Sequence, residues 1–145
     1  MCGIAGIVDR DIASRNLVES MVKSLNHRGP DDNGIWQNKN QKVILGHSRL
    51  SILELSKAGG QPMISNSGRY ALTFNGEIYN HHQLRTKELR KYNWKGGSDT
   101  ETLLACFEKF GVIDSLKYLT GMFAFGVWDQ EDEILILARD RIGEK

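Results

Sequence analysis

GMFAFGVWDQEDEILILARD, residues 121–140, is the stretch that decides the fold class of this sequence. It contains two apolar runs, at residues 121–129 and 133–140, which are joined only by the polar residues QED. Short runs rich in β-branched and aromatic residues, joined by a brief polar link, are typical of an antiparallel hairpin. Neither run alternates strictly between apolar and polar residues, so we expect the hairpin to be at least partly buried on both faces.

Upstream of this hairpin, three more apolar runs predict strands, and helical patterns separate them. The predicted strands are GIAGIV (3–8), KVILGHS (42–48) and RYALTF (69–74). Between the first two, HRGPDDNG (27–34) consists of turn formers and predicts an ordered polar loop. Strands that arrive as hairpins, with helices between them, favour an α+β layered fold over a parallel doubly wound one.

The clearest helical pattern is SDTETLLACFEKFG (98–111), where Ser98 is the predicted N-cap. Glu101 is the expected capping-box partner of this serine, and Gly111 is the expected stop. The residues of the apolar face are Leu103, Cys106, Phe107 and Phe110. Cys106 is therefore expected to be a small core residue, because apolar surroundings give a thiol no reactivity.

Two further helices are predicted. The first, SRNLVESMVKSLN (14–26), has Ser14 as its cap and one apolar face. The residues of that face are Leu17, Met21, Val22 and Leu25. The second, HQLRTKELRKYN (82–93), has only Leu84 and Leu89 as apolar anchors, so a surface helix is expected.

The composition is that of one ordinary globular domain. The chain has 145 residues, enough to bury one core but not two independent ones. Lys and Arg number 19 against 18 Asp and Glu, and neither sign forms a block, so no nucleic-acid or membrane-surface partner is expected. No apolar run approaches the roughly 20 residues that span a bilayer, and no secretory signal opens the chain. We therefore expect a cytoplasmic protein.

The spacing of the cysteines and histidines argues against a metal site and a disulfide framework, and it leaves Cys2 to explain. The four histidines and two cysteines lack the spacing of a zinc site, so we expect no metal and no disulfide framework. Cys2 directly follows Met1, and removal of Met1 would give it a free α-amino group that could act as general base for its own thiol. The alternatives are a structural thiol at a strand start or a redox thiol, the latter disfavoured because no second cysteine is near in sequence.

A nucleophilic cysteine needs an oxyanion hole and a means of holding its substrate. In FNGE, the side-chain amide of Asn75 and the backbone N–H of Gly76 could stabilise an oxyanion, although Asn-Gly between apolar runs also predicts a hairpin turn. Arg49 stands between a strand and an apolar stretch, where a carboxylate of a substrate would suit its guanidinium. Asp99 and Glu101 lie in the first turn of a predicted helix, where the helix dipole alone explains acidic residues.

Eight motifs follow one another along the chain: MCGIAGI, NHRGPDD, GHSRLSI, GGQPM, FNGEIYN, GSDTE, GMFAFGVWD and LARDRIGEK. In this order they closely resemble the glutamine-hydrolysing domain of asparagine synthetase-type enzymes. These enzymes are class II glutamine amidotransferases of the N-terminal-nucleophile hydrolase superfamily. The resemblance covers residues 1–145 and implies two antiparallel sheets stacked between helical layers.

The resemblance also implies a role for each candidate site residue. Cys2, freed of Met1, would be the nucleophile that attacks the carboxamide of L-glutamine, with its own amino group shuttling protons. Asn75 and Gly76 would form the oxyanion hole. The residues that would hold the α-carboxylate and the α-amino group of glutamine are, respectively, Arg49 and the pair Asp99 and Glu77.

In the family, the chain continues beyond the GEK of LARDRIGEK, first to finish the glutaminase domain and then into a synthetase domain that activates an acceptor carboxylate with ATP. We therefore expect residues 1–145 to be a glutaminase domain that is truncated at its C-terminal end and lacks the synthetase domain. No cofactor is expected in this chain, since ATP and Mg²⁺ belong to the absent domain. The implied partners are L-glutamine and that synthetase domain of the full-length chain, and a homodimer is left open.

Two alternatives stay open beside a glutaminase that supplies ammonia for asparagine synthesis from aspartate. The ammonia could instead reach another carboxylate, such as a surface-polysaccharide sugar, and only the missing C-terminal residues could separate these readings. The chain could also be an inactive binding or regulatory module of the same fold. Retention of Met1 would favour this second alternative, because the blocked amine could not serve as a base.

Overall fold

The computed structural model describes residues 1–52 and 54–145. The strands in these ranges are β1 (Gly3–Val8), β2 (Asp32–Gln37), β3 (Val43–Arg49), β4 (Met63–Ile64), β5 (Tyr70–Ile78), β6 (Gly121–Asp129) and β7 (Ile134–Arg139). The helices in these ranges are α1 (Arg15–Ser24), α2 (His81–Lys87), α3 (Asp99–Phe110) and α4 (Val112–Ser115), with a 3₁₀ turn at Lys57–Gly59. The predicted strands and the three predicted helices are therefore confirmed, with shifted ends.

The strands form two antiparallel sheets, with the orders β1-β3-β2 and β4-β5-β6-β7. The predicted C-terminal hairpin is confirmed, because β6 and β7 pair from Ala124 opposite Arg139 to Asp129 opposite Ile134. β5 pairs with β6 along its whole length, whereas β4 covers only Ala71 and Leu72 on the other edge of β5. Beyond Leu72, that edge of β5 has no neighbouring strand in the described part of the chain.

The sheets stack on each other between two helical layers, as the resemblance implied. α1 packs on β1 and β3, these strands pack on β5, and α3 packs on the far face of β5. Apolar side chains fill each gap between layers. In β3, Ile44 faces α1 while Val43 and Leu45 face the other sheet, as the alternation of side chains along a strand requires. The α+β class is thus confirmed.

The hairpin-turn interpretation of Asn75 and Gly76 is wrong. Both residues lie inside β5, which continues to Ile78. An Asn-Gly pair marks a turn only when the flanking runs pair with each other, and here both halves of the run pair with β6 instead. The pair is therefore extended backbone on a strand.

Helix details also differ from the sequence pattern. In α1 the buried residues are Val18 and Val22, while Leu17 is 53% exposed, because a helix on a sheet buries a narrow stripe. The predicted helix over 82–93 ends at Lys87, although Leu84 and Leu89 are both buried. The loop predicted over 27–34 gives way to β2 at Asp32.

The N-cap of α3 is confirmed in one half only. Ser98 accepts a hydrogen bond from the N–H of Glu101 at 3.1 Å, and Gly111 ends the helix with φ 78°. The side chain of Glu101 does not complete a capping box, because it accepts from the N–H groups of Lys95 and Gly96. The carboxylate therefore fixes the segment before the helix.

Candidate active site

The two sheets end together in a cleft that all six candidate residues line. Gly3 of β1 lies opposite Ser48 of β3, so Cys2 stands at the same end of the sheet as Arg49. The cleft has a cavity volume of about 100 Å³. The candidate residues in its lining are Cys2, Arg49, Asn75, Gly76, Glu77 and Asp99. Four separate segments of the chain thus bring these residues together.

Cys2 is held by main-chain contacts at the floor of the cleft. Its thiol is half-buried, and the N–H of Leu50 donates to the sulfur at 3.4 Å. The guanidinium of Arg28 donates from Nε to the carbonyl oxygen of Cys2 at 3.2 Å, and the amino group of Met1 donates to the carbonyl oxygen of Arg28 at 3.1 Å. By contrast, Cys106 is fully buried, and burial raises the pKa of its thiol to about 12. Its predicted role as a core residue is confirmed.

The open edge of β5 forms one wall of the cleft. Along this edge, the N–H of Phe74 donates to Oε1 of Gln61 at 2.7 Å, and the N–H of Ile78 donates to Oδ2 of Asp99 at 2.9 Å. Successive N–H groups of a strand point to opposite edges, so Gly76, midway between these two, presents its N–H on the same edge. This N–H lies on the edge that borders the cleft.

Gly76 is required by its neighbours on β6 as well as by its place in the cleft. A Cβ atom at this position would lie 2.2 Å from the carbonyl oxygen of Met122. Any larger residue would push β5 away from β6. The sequence alone indicates only the approach of a substrate as a reason for this glycine.

Asp99 is the first residue of α3 and is buried at the cleft. Its carboxylate accepts from the N–H of Ile78 through Oδ2 and from the N–H of Thr100 through Oδ1, both at 2.9 Å. These two bonds lower the pKa of the carboxyl, but burial outweighs them and raises it, and nearby Glu77 adds to the rise. Two carboxyl groups thus lie near each other at this end of the cleft, and a bound cation would favour their charged forms.

Arg49 ends β3 and directs a buried guanidinium to the cleft. Its Nη2 donates to the carbonyl oxygens of Glu54 and of Ser56, the latter at 3.1 Å. Within the described residues, no salt bridge includes Arg49, and its hydrogen-bond partners are carbonyl oxygens. The carboxylate of Glu54 interacts with it only through space. A carboxylate that entered the cleft would therefore be free to form a direct ion pair with this guanidinium.

Three residues that sequence reasoning left without a role support this site. Arg28, in the motif NHRGPDD, holds the backbone of Cys2. Gln61, in GGQPM, and His47, in GHSRLSI, hold the N–H and the carbonyl oxygen of Phe74, the residue before Asn75. Burial lowers the pKa of His47 to about 4, so the ring is neutral at pH 7. The contacts of these residues join segments that are far apart in the sequence, so no local pattern indicates them.

Within the described residues, no helix is both long and apolar enough to cross a bilayer. The same residues contain no group of three His, Cys, Asp or Glu side chains placed to hold a metal ion.

The whole chain, residues 1–145, matches the family model described as a glutamine amidotransferase domain. The protein therefore belongs to the glutamine amidotransferase domain family, and its resemblance to the glutamine-hydrolysing domain of asparagine synthetase-type enzymes is confirmed.

The relatives found by comparison are longer proteins. Asparagine synthetase B (glutamine-hydrolyzing) of Escherichia coli is 38% identical over 146 residues, which cover 99% of this chain and 26% of that protein. Asparagine synthetase (glutamine-hydrolyzing) 3 of Bacillus subtilis is 38% identical over 152 residues, covering 100% and 24%. Amidase chry2 of Gibberella zeae is 36% identical over 157 residues, covering 100% and 23%. The chain thus spans about a quarter of the length of these relatives.

Proposed function

We propose that this domain hydrolyses L-glutamine to glutamate and ammonia through a thioester on Cys2. The observation that supports it best is the meeting, in one cleft, of a thiol, a strand edge with an N–H at Gly76, a guanidinium that forms no salt bridge within the described residues, and a buried carboxylate. Each of these groups matches one part of glutamine. The family membership supports the same conclusion.

The amino-acid part of glutamine would bind at the ends of the cleft. Arg49 would hold the α-carboxylate, because its guanidinium can donate two parallel hydrogen bonds to a carboxylate. Asp99, with Glu77 beside it, would hold the α-ammonium. The side-chain carboxamide would then reach towards Cys2 and the edge of β5.

The chemistry follows that of an amino-terminal nucleophile. With Met1 removed, the α-amine of Cys2 takes the thiol proton, and the thiolate adds to the carboxamide carbon. Asn75 and the N–H of Gly76 would stabilise the oxyanion. Its collapse breaks the C–N bond and expels ammonia, which takes its proton from the α-ammonium of Cys2. Water then hydrolyses the γ-glutamyl thioester, releasing glutamate and restoring the thiol.

We further propose that the ammonia passes to a synthetase domain outside residues 1–145, which amidates aspartate with ATP. The names of the Escherichia coli and Bacillus subtilis relatives and their greater length support this acceptor. No further cofactor is assigned to residues 1–145. An assay of the full-length protein with glutamine, ATP and aspartate, and then with other carboxylates, tests the acceptor by product identity.

The decisive experiment is the intact mass of the purified protein before and after treatment with a diazo-ketone analogue of glutamine. We expect a mass that lacks methionine and a single adduct that maps to Cys2. Cys106→Ala is the matched control, because it removes the buried thiol and should keep the adduct. Retained Met1 with no adduct and no ammonia release would contradict the proposal and favour an inactive binding module.

A further inference from the structure

We propose that Glu54 is a positioning residue that fixes the distance between Arg49 and Asp99 by joining the loop after β3 to the segment before α3. This inference rests on the proposed function, because it assigns Arg49 and Asp99 to the two ends of one amino acid. Glu54 lines the same cleft. It would touch neither the reacting carboxamide nor Cys2.

The guanidinium of Arg49 is held by backbone groups that follow it in the chain. Its guanidinium donates to the carbonyl oxygens of Glu54 and Ser56, so the main chain of this loop sets its position. Gly59 closes the other side, since a Cβ atom there would lie 2.4 Å from Nη2 of Arg49. A shift of the loop would therefore move the guanidinium with it.

The carboxylate of Glu54 in turn holds these backbone groups in place. The carboxylate of Glu54 accepts from the N–H of Ser56 through Oε1 at 3.0 Å, which closes a local turn. Through Oε2 it accepts from the N–H of Gly97 at 2.9 Å, across a gap of 43 positions in the sequence. One side chain thus fixes the turn that binds Arg49 and ties this turn to a distant segment.

The distant segment, residues 95–98, is itself fixed by side-chain hydrogen bonds. Glu101 accepts from the N–H groups of Lys95 and Gly96, while Arg85 donates to the carbonyl oxygens of Gly96 and Ser98. The N–H of Gly97 remains, and Glu54 accepts from it. Two positions further on, Asp99 begins α3.

These contacts give Glu54 a role in binding rather than in chemistry. The N–H groups of Gly97 and Ser56 hold the pKa of Glu54 at about 2, so its charge is constant over the pH range of an enzyme assay. Glutamine would need Arg49 and Asp99 at one fixed separation to bind by both of its charged groups. Loosening the tie should weaken substrate binding, while the thiol and the edge of β5 stay in place.

The test compares two variants of opposite kind with a matched control. Glu54→Gln keeps the length of the side chain but removes the charge, and Glu54→Asp keeps the charge but shortens the reach to Gly97. Glu108→Gln is the control, because Glu108 also accepts from a backbone N–H, that of Ser67, but outside the cleft. Glutaminase kinetics and hydrogen exchange of the Gly97 amide are measured for each.

We expect both Glu54 variants to raise KM for glutamine about 10-fold, because each weakens one charge-assisted hydrogen bond. The value of kcat should stay within about two-fold of that of the wild-type protein. We also expect faster exchange of the Gly97 amide. The effect should shrink for the α-amide of glutamine, which has no carboxylate for Arg49. Glu108→Gln should leave both readouts unchanged.

The experiment distinguishes failure of the proposed glutaminase function from failure of the proposed role of Glu54. If the wild-type protein releases no ammonia from glutamine, the proposed function itself is wrong. If the wild-type protein is active but Glu54→Gln leaves KM unchanged, or lowers kcat equally for glutamine and its α-amide, the positioning role of Glu54 is overturned.

Discussion

The cleft has two walls that are built in different ways. One wall is the open edge of β5 at residues 75–78, whose N–H groups are placed by the ladder that β5 forms with β6. The other wall is the loop after Arg49, whose position depends on single side chains such as Glu54 and on the close contact at Gly59. One wall is regular secondary structure, and the other is a set of specific polar contacts.

The difference indicates a division of labour within the proposed mechanism. A strand in a sheet cannot easily move its N–H groups, so it suits the stabilisation of an oxyanion, which needs preorganised donors. A loop held by a few hydrogen bonds can adjust to a bound ligand, which suits recognition of the amino-acid part. Changes to Asn75 and Gly76 in the first wall should therefore act on kcat, and changes to the second wall on KM.

Removal of the Cys2 thiol should have the largest effect, because the thiol is the proposed nucleophile. We expect Cys2→Ala to lower kcat for glutamine hydrolysis by about 10⁴-fold or more, since the covalent route is lost. Ammonia release measures it. Binding of glutamine, measured by calorimetry, should survive, and its loss would mean that the substitution had disturbed the walls themselves.

Asn75→Ala tests the first wall and should have the next largest effect. Removal of one oxyanion donor typically costs about 10²–10³ in kcat, and we expect that loss with KM changed by less than about three-fold. Steady-state kinetics separate the two constants. Asn66→Ala is the control, because Asn66 is exposed and bonds to Asn93 outside the cleft. A large rise in KM with kcat preserved would refute the assignment of this wall to catalysis.

Arg49→Lys tests the second wall. Lysine keeps the charge but cannot form the paired hydrogen bonds of a guanidinium, so we expect KM to rise about 10- to 100-fold and kcat to change little. The same kinetic assay measures it. Arg139→Lys is the control, because it makes the same substitution at an exposed position outside the cleft. Equal kinetics for Arg49→Lys and the wild type would exclude the carboxylate role.

The fold was predictable from the sequence because its elements are local. The strand GIAGIV coincides with β1, and the hairpin at residues 121–140 coincides with β6 and β7, since short apolar runs and polar links are local signals. The turn predicted at Asn75 and Gly76 failed because strand pairing overrides turn propensity. Which face of α1 is buried was also set by the sheet beneath it.

The site was predictable only in part, because sequence patterns indicate local features and not contacts between distant segments. The residue types of Cys2 and Arg49 indicate chemistry, whereas the role of Asp99 is implied only by the family resemblance, and the structure brings all three to one cleft. The contacts of Glu54 with Gly97 and of His47 with Phe74 join segments 43 and 27 positions apart. No periodicity or spacing encodes such pairs, so a single sequence could not identify these supporting residues.

His47 gives the smallest expected effect and tests the connection between the two sheets that bear the walls. It reaches from β3 to the carbonyl oxygen of Phe74 in β5 at 3.1 Å, and burial lowers the pKa of its ring to about 4. A histidine in the unfolded chain has a pKa near about 6.5, so the unfolded state binds more protons between these values. The free energy of unfolding should therefore fall as the pH falls from about 6.5 to 4, and it should be level above this window.

His47→Gln keeps a donor for Phe74 but cannot be protonated in this window. We expect it to reduce the slope of unfolding free energy against pH by up to about 1.4 kcal/mol per pH unit, measured by urea denaturation at several pH values. Part of the slope should remain, because burial also lowers the pKa of His81 to about 4. Parallel slopes for His47→Gln and the wild type would mean that His47 is protonated in the folded protein, and the sheets would then be joined here by a charge rather than by a neutral ring.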